Sequence, residues 1–239
     1  MNNPTLHRIG AASAVLAVAV WLAVPVVMPI AAILDEDPAG SARDLADAAG
    51  WDAIWLVHLA SVFLIVVAFA LVGRTFPDGP ARDWARVGDV LLALTGAVAA
   101  AAVLVSAGLK ELADTWAAAA PSSQEASLAA FDTARRTWVY LDLGAIVGFG
   151  LYLTTLATAV LSSRLYARWI GWATALAAPL VAVGVIVELR WGGGTVAGLL
   201  GILLVIVVLV ALAVSMWRRA SAGARGVPSP IDSPGVAGP

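Results

Sequence analysis

The chain contains no cysteine, only two histidines and a single lysine. Without thiols it forms no disulfide, no thiolate zinc or iron–sulfur site and no cysteine nucleophile. His7 and His58 flank the first long apolar run, so neighbouring helices offer no pair of imidazoles to a membrane haem. Charged residues make up 13% of the 239 positions and the formal net charge is -2, with no run of Lys or Arg, which argues against a nucleic-acid partner. HExxH, GxSxG and Walker patterns are absent too. Ser61 follows His58 by one helical turn, but no third member or oxyanion donor completes a catalytic set. The sequence calls for no metal and no cofactor, and leans away from an enzyme.

What the chain has in excess is apolar length. Hydrophobic residues make up 61% of it and the mean hydropathy is +0.91, more apolar surface than a soluble domain of this size hides. Six long apolar runs, separated by charged connectors, predict six membrane-spanning helices over Ile9–Leu34, Ala53–Gly73, Val87–Leu109, Trp138–Leu161, Ile170–Val187 and Thr195–Trp217. The first is too long for a secretory signal, whose apolar core is about 7–15 residues. The expected fold is all-α: a six-helix transmembrane domain over 1–220, with 221–239, rich in Gly, Pro, Ser and Ala, as a disordered cytoplasmic tail.

Basic residues set the orientation, because Lys and Arg collect on the cytoplasmic side. With both termini inside, the cytoplasmic segments hold Arg8, Arg74, Arg82, Arg86, Arg164, Arg168, Arg218, Arg219 and Arg225. The outer segments hold Arg43, Lys110, Arg135, Arg136 and Arg190, and acidic residues from Asp35 to Asp52 crowd the first outer loop. Trp51, Trp55, Trp116, Trp138 and Trp191 fall at outer helix ends, and Trp169, Trp172 and Trp217 at inner ends, as an aromatic belt requires.

Two outer connectors carry capping patterns, Ser41 with Asp44 and Ser122 with Glu125, which predict short surface helices. Either helix is a lid over an outer cavity or an amphipathic segment resting at the interface. Pro77-Asp78-Gly79-Pro80 reads as an inner turn.

Ionisable groups within spans are expensive and face protein or water. His58, Asp142 and Glu188 lie a turn or less below the outer Trp residues, and Lys110 marks the outer end of the third span. Two readings stand. In one, Asp142 and Glu188 face His58, Lys110 or Arg190 across an outward pocket that binds an ion or small polar ligand, with His58 lending sensitivity to pH near its ordinary value of about 6.5. In the other, the same groups snorkel or pair between helices. Gly144 with Gly148, and Gly194 with Gly198, have the GxxxG spacing of close helix packing, within the chain or in a homo-oligomer.

Gly148–Leu176, GFGLYLTTLATAVLSSRLYARWIGWATAL, resembles a family of bacterial six-helix membrane proteins classed as a domain of unknown function. There a Gly- and aromatic-rich helix passes through a basic turn to an R-x-[LI]-G opening of the next helix, matched here by Arg168-Trp169-Ile170-Gly171, with Ala167 where the family often has Pro. Arg8-Ile9-Gly10 and the long loop before the fourth span look similar as well. The resemblance implies a six-helix topology and no activity. Abundant Ala and Arg beside one Lys point to a GC-rich prokaryotic source, and so to its plasma membrane. The functional expectation is a membrane protein that binds a small ligand, lipid or protein partner through an outer polar cavity, or alternatively a secondary or proton-coupled transporter.

Overall fold

A computed structural model describes residues 4–27, 37–191 and 196–224. Every regular element among them is a helix: α1 (Pro4–Val27), α2 (Pro38–Ala46), α3 (Trp51–Gly73), α4 (Pro80–Ala117), α5 (Gln124–Ser162), α6 (Arg168–Trp191) and α7 (Val196–Ala224). Four stretches are long and apolar enough to cross a bilayer, Ala53–Gly73, Pro80–Ala117, Gln124–Ser162 and Leu200–Ala222, and α1 adds a shorter apolar stretch, Pro4–Val20. Length and composition of the described residues thus mark four crossings where six were expected.

The six long helices close into a ring. α1 packs on α3, α3 on α4, α4 on α5, α5 on α6, α6 on α7, and α7 returns to α1. Glycine contacts fix the register: Gly73 meets Asp89 and Gly96 meets Val66 between α3 and α4, while Gly88 meets Thr155 and Gly148 meets Thr95 between α4 and α5. Gly150 meets Ala178, and Gly171 meets Leu161, between α5 and α6. Neighbours therefore run antiparallel. Of the glycines that the spacing singled out, Gly144 and Gly148 pack within the chain, where a missing side chain lets backbones approach; Gly194 lies outside the described residues.

Two cores divide the ring along its axis. The larger joins Phe69, Val72, Leu92, Tyr152, Leu156, Ile170, Leu209, Leu212 and Met216. At its centre Phe69 of α3 stands edge-on to Tyr152 of α5, ring centroids 5.2 Å apart, and to Phe149 at 5.7 Å. The smaller core lies at the opposite end from the termini and joins Ala42 and Leu45 of α2 to Trp51, Leu109, Trp116, Phe131 and Trp138.

This core, outer in the sense of lying away from the termini, exists because α4 and α5 are long enough to outrun a bilayer. At about 1.5 Å per residue each is close to twice the roughly 30 Å of a hydrocarbon core. The surface helix expected from Ser122 is no separate element: α5 continues unbroken from Gln124 to Ser162. No proline interrupts it, and Asp132 pairs with Arg135 and Arg136 one turn on, which favours helix through the polar stretch. The other surface helix forms, but its cap is Asp37, whose carboxylate accepts from the amides of Ala39 and Gly40, with Pro38 in the first turn. Ser41 is instead buried. Gly50 precedes α3 at φ 73°, a left-handed conformation that glycine adopts without strain.

The tryptophans sort differently from the expected belt. Trp84, Trp169, Trp172 and Trp217 at the terminal end are exposed, as interfacial residues are, whereas Trp51, Trp116 and Trp138 are buried in the outer core. Trp51 donates its indole N–H to the Ser106 carbonyl at 3.1 Å. α7 continues to Ala224, past its expected end at Trp217; positions 225–239, most of the expected tail, lie outside the described residues.

Candidate binding site

Five residues were expected to form the outer site: His58, Lys110, Asp142, Glu188 and Arg190. His58 is on α3, three residues before Ser61, seven before Ile65 and eleven before Phe69, all on the face turned to the interior. Asp142 is on α5, three residues before Ala145 and seven before Phe149. Because Phe69 meets Phe149 and Tyr152, these two interior faces look at each other. Carrying that parallel register outward brings His58 and Asp142 within about one helical turn of the same level.

Neither group is spent on another. His58 Nδ1 is buried without a hydrogen-bond partner, and Asp142 makes no hydrogen bond or ion pair, among the described residues. The Ser61 hydroxyl, beside them on α3, donates to the His58 carbonyl at 2.6 Å. A buried polar atom left open costs free energy, roughly 1–3 kcal/mol, so such groups in a folded chain invite a partner.

Lys110 belongs elsewhere. Its ammonium donates to the carbonyl of Ala46 at 2.8 Å and to the Asp114 carboxylate at 3.0 Å, closing the C-terminal end of α2. With Gly144 opposite Val98, Lys110 stands roughly 14 Å farther out along α4 than the level of Asp142. Glu188 and Arg190 continue the α6 backbone, and the contacts of Gly150 with Ala178 and of Gly171 with Val160 put positions near 188–190 opposite Asp142; their side chains lie outside the described residues.

A second ionisable position was missed. Asp89 of α4 lies against Gly73 of α3, on the inner side of the Phe69, Phe149 and Tyr152 cluster, with Arg82 and Arg74 near it. The signal was present: an Asp two residues inside a predicted span. Arg82 and Arg86 beside it give that helix end the pattern of an ordinary basic boundary.

The inner ends are knitted by polar contacts. Tyr166, in the connector between α5 and α6, shares a 2.6 Å hydrogen bond with Thr75 after α3, stands edge-on to Phe76 and lies under the Arg219 guanidinium. Burial pushes its phenol up to about 12, against the opposing pull of the Thr75 hydrogen bond and the Arg219 charge. Arg82 donates to the Gly73 carbonyl and Arg219 to that of Leu165. Thr154, Thr155 and Thr158 bond backbone carbonyls of their own helix.

The described residues hold no group of three or more His, Asp or Glu able to ligate a metal. Comparison with protein-family models, curated proteins and solved structures finds no match to this chain.

Proposed function

We propose that the chain is a polytopic membrane protein whose six long helices all cross the bilayer, termini in the cytoplasm, and whose outer interior binds a small polar ligand or ion between His58 and Asp142. The ring closure supports six crossings: α1 and α6 are walls of the same antiparallel bundle as the four longer apolar stretches. Arg8, Arg74, Arg82, Arg86, Arg164, Arg168, Arg218 and Arg219 all gather at the end that carries the exposed Trp residues, which supports the orientation. The likeness of Gly148–Leu176 to six-helix bacterial membrane proteins is part of the same reading.

The observations that carry the binding site are the unpartnered His58 Nδ1 and the Asp142 carboxyl, which has no partner among the described residues, on facing interior surfaces within about one helical turn of each other. A carboxylate beside an imidazole, which accepts through one of its ring nitrogens, selects a ligand that donates, such as a small ammonium compound or a hydrated monovalent cation. Lys110 is left out of this site, and the side chains of Glu188 and Arg190, which the sequence placed there, lie outside the described residues.

Thermal unfolding of the purified chain with ethanolamine and with monovalent cations tests the site. Asp142→Asn removes the ligand-dependent shift and leaves the unliganded protein as stable as before or more so, because an uncompensated carboxyl is lost. A fall of about 3 kcal/mol or more without ligand would show that Asp142 is half of a buried ion pair, and the site would fail.

The carrier reading draws on Asp89. An acidic group outside the aromatic cluster and another inside it, on one interior, are what alternating occupation needs. Proton-driven uptake of ethanolamine into proteoliposomes that vanishes in both Asp142→Asn and Asp89→Asn would favour transport over binding alone.

A further inference from the structure

The seam where the ring closes, between α1 and α7, opens on its outer surface into a groove of about 490 Å³. Ala12, Val15 and Leu16 form one wall and Val210, Val214 and Trp217 the other, with Arg218 at the end toward the termini. Val15, Leu16, Val210 and Val214 are all exposed, so the groove faces whatever surrounds the bundle.

Two charges stand at its mouth. Arg8 precedes Ala12 by one turn of α1 and so stands on the groove-lining face, across from Arg218 on α7. Neither makes a hydrogen bond or ion pair with a described residue, and both are exposed. Arg219, one residue on, is spent on the Leu165 carbonyl and the Tyr166 ring. The seam therefore presents an apolar trough with two free guanidiniums at one end and an interfacial Trp beside them.

We propose that this seam holds one anionic glycerophospholipid of the cytoplasmic leaflet, an acyl chain in the trough and the phosphate between Arg8 and Arg218. The occupant's chemistry follows from the site: planar guanidiniums match phosphate oxygens, the trough is apolar throughout, and the polar end lies where headgroups lie. The lipid would also cover the one contact in the ring between helices distant in sequence. This inference rests on the bilayer placement of the chain and is independent of the His58 and Asp142 site.

The test uses the full chain reconstituted in vesicles of phosphatidylglycerol or of phosphatidylcholine, then transferred to detergent, with retained lipid counted by native mass spectrometry. The wild type keeps one phosphatidylglycerol and no comparable phosphatidylcholine. Arg8→Gln with Arg218→Gln lowers retention by roughly fivefold for each guanidinium removed, while Arg164→Gln with Arg168→Gln, an equal loss of charge at the same end, leaves it intact. Val214→Trp, at an exposed position, fills the trough and abolishes retention. Equal loss in both arginine pairs, equal retention of the two lipids, or full retention in Val214→Trp overturns the site. A second copy of the chain bound at the seam in place of lipid overturns it as well. Failure of the chain to float with either vesicle overturns the bilayer reading itself.

Discussion

The ammonium of Lys110 lies 2.8 Å from the carbonyl oxygen of Ala46, so the one lysine of the chain ties the last turn of α2 to α4. A cation at a helix C-terminus satisfies an orphan carbonyl and opposes the helix dipole. Lys110→Met is expected to cost about 1 kcal/mol, felt as faster amide exchange in residues 39–48 with none in α6. Unchanged exchange there would show that Ala42 and Leu45 hold α2 by packing alone.

Gly201 and Gly144 offer a paired test of the helix seams. A methyl group on Gly201 would sit 2.7 Å from the backbone nitrogen of Val181, whereas one on Gly144 would find its nearest neighbour, Val98 Cγ1, at 3.7 Å. Backbone cannot yield as a side-chain end does. Gly201→Ala should lower stability by about 1–3 kcal/mol, and Gly144→Ala should match or exceed the wild type, as thermal melting in one detergent would show.

Acid should loosen the outer hairpin first. Burial raises the Asp132 carboxyl, but hydrogen bonds and charge from Arg135 and Arg136 outweigh it and hold the group below its usual range. A depressed carboxylate stabilises above its unfolded value of about 4 and loses that contribution as pH falls through the folded one. Amide protection in residues 124–138 is expected to drop below about pH 4 in the wild type, and to lose this dependence in Asp132→Asn.

His7 responds in the same direction from a higher starting point. Burial, then the nearby Arg219 charge, lowers its pKa beneath the ordinary 6.5, and its Nδ1 has no partner among the described residues. The loosened state takes up the proton more readily, so docking of α1 is strongest above the ordinary value and weakens as pH falls through the lowered one. His7→Leu should flatten the pH dependence of exchange in residues 5–12; an unchanged profile would place the titrating group elsewhere.

Orientation can be read without background labelling because the chain has no cysteine. Ala117→Cys, at the tip of the α4 and α5 hairpin, should react with an impermeant maleimide on intact cells, and Ala222→Cys only after permeabilisation. The reverse pattern would invert the topology.

Four of the six expected apolar runs and the grouping of arginines at one end were legible because a bilayer asks for both directly. The outer extension was not. A tryptophan at a predicted boundary looks the same whether lipid or protein covers it, and Trp51, Trp116 and Trp138 prove to be covered by protein. Polar residues from Asp132 to Thr137 looked like a connector, although their ion pairs at helical spacing favour one continuous helix. Capping patterns compete locally, and Asp37 followed by Pro38 outranked Ser41. His58 and Asp142 could be recognised as anomalous from sequence, but that the interior faces carrying them meet follows only from the contact of Phe69 with Phe149.

Each long helix of the ring leans on partners made just before or just after it, with one exception: α1 must wait for α7. During synthesis α1 therefore keeps one flank unmatched until α7 has been made. Nascent chains truncated before Val196 should be the forms most open to insertion chaperones and quality-control proteases, and joining the first segment to the last is the step that commits the bundle.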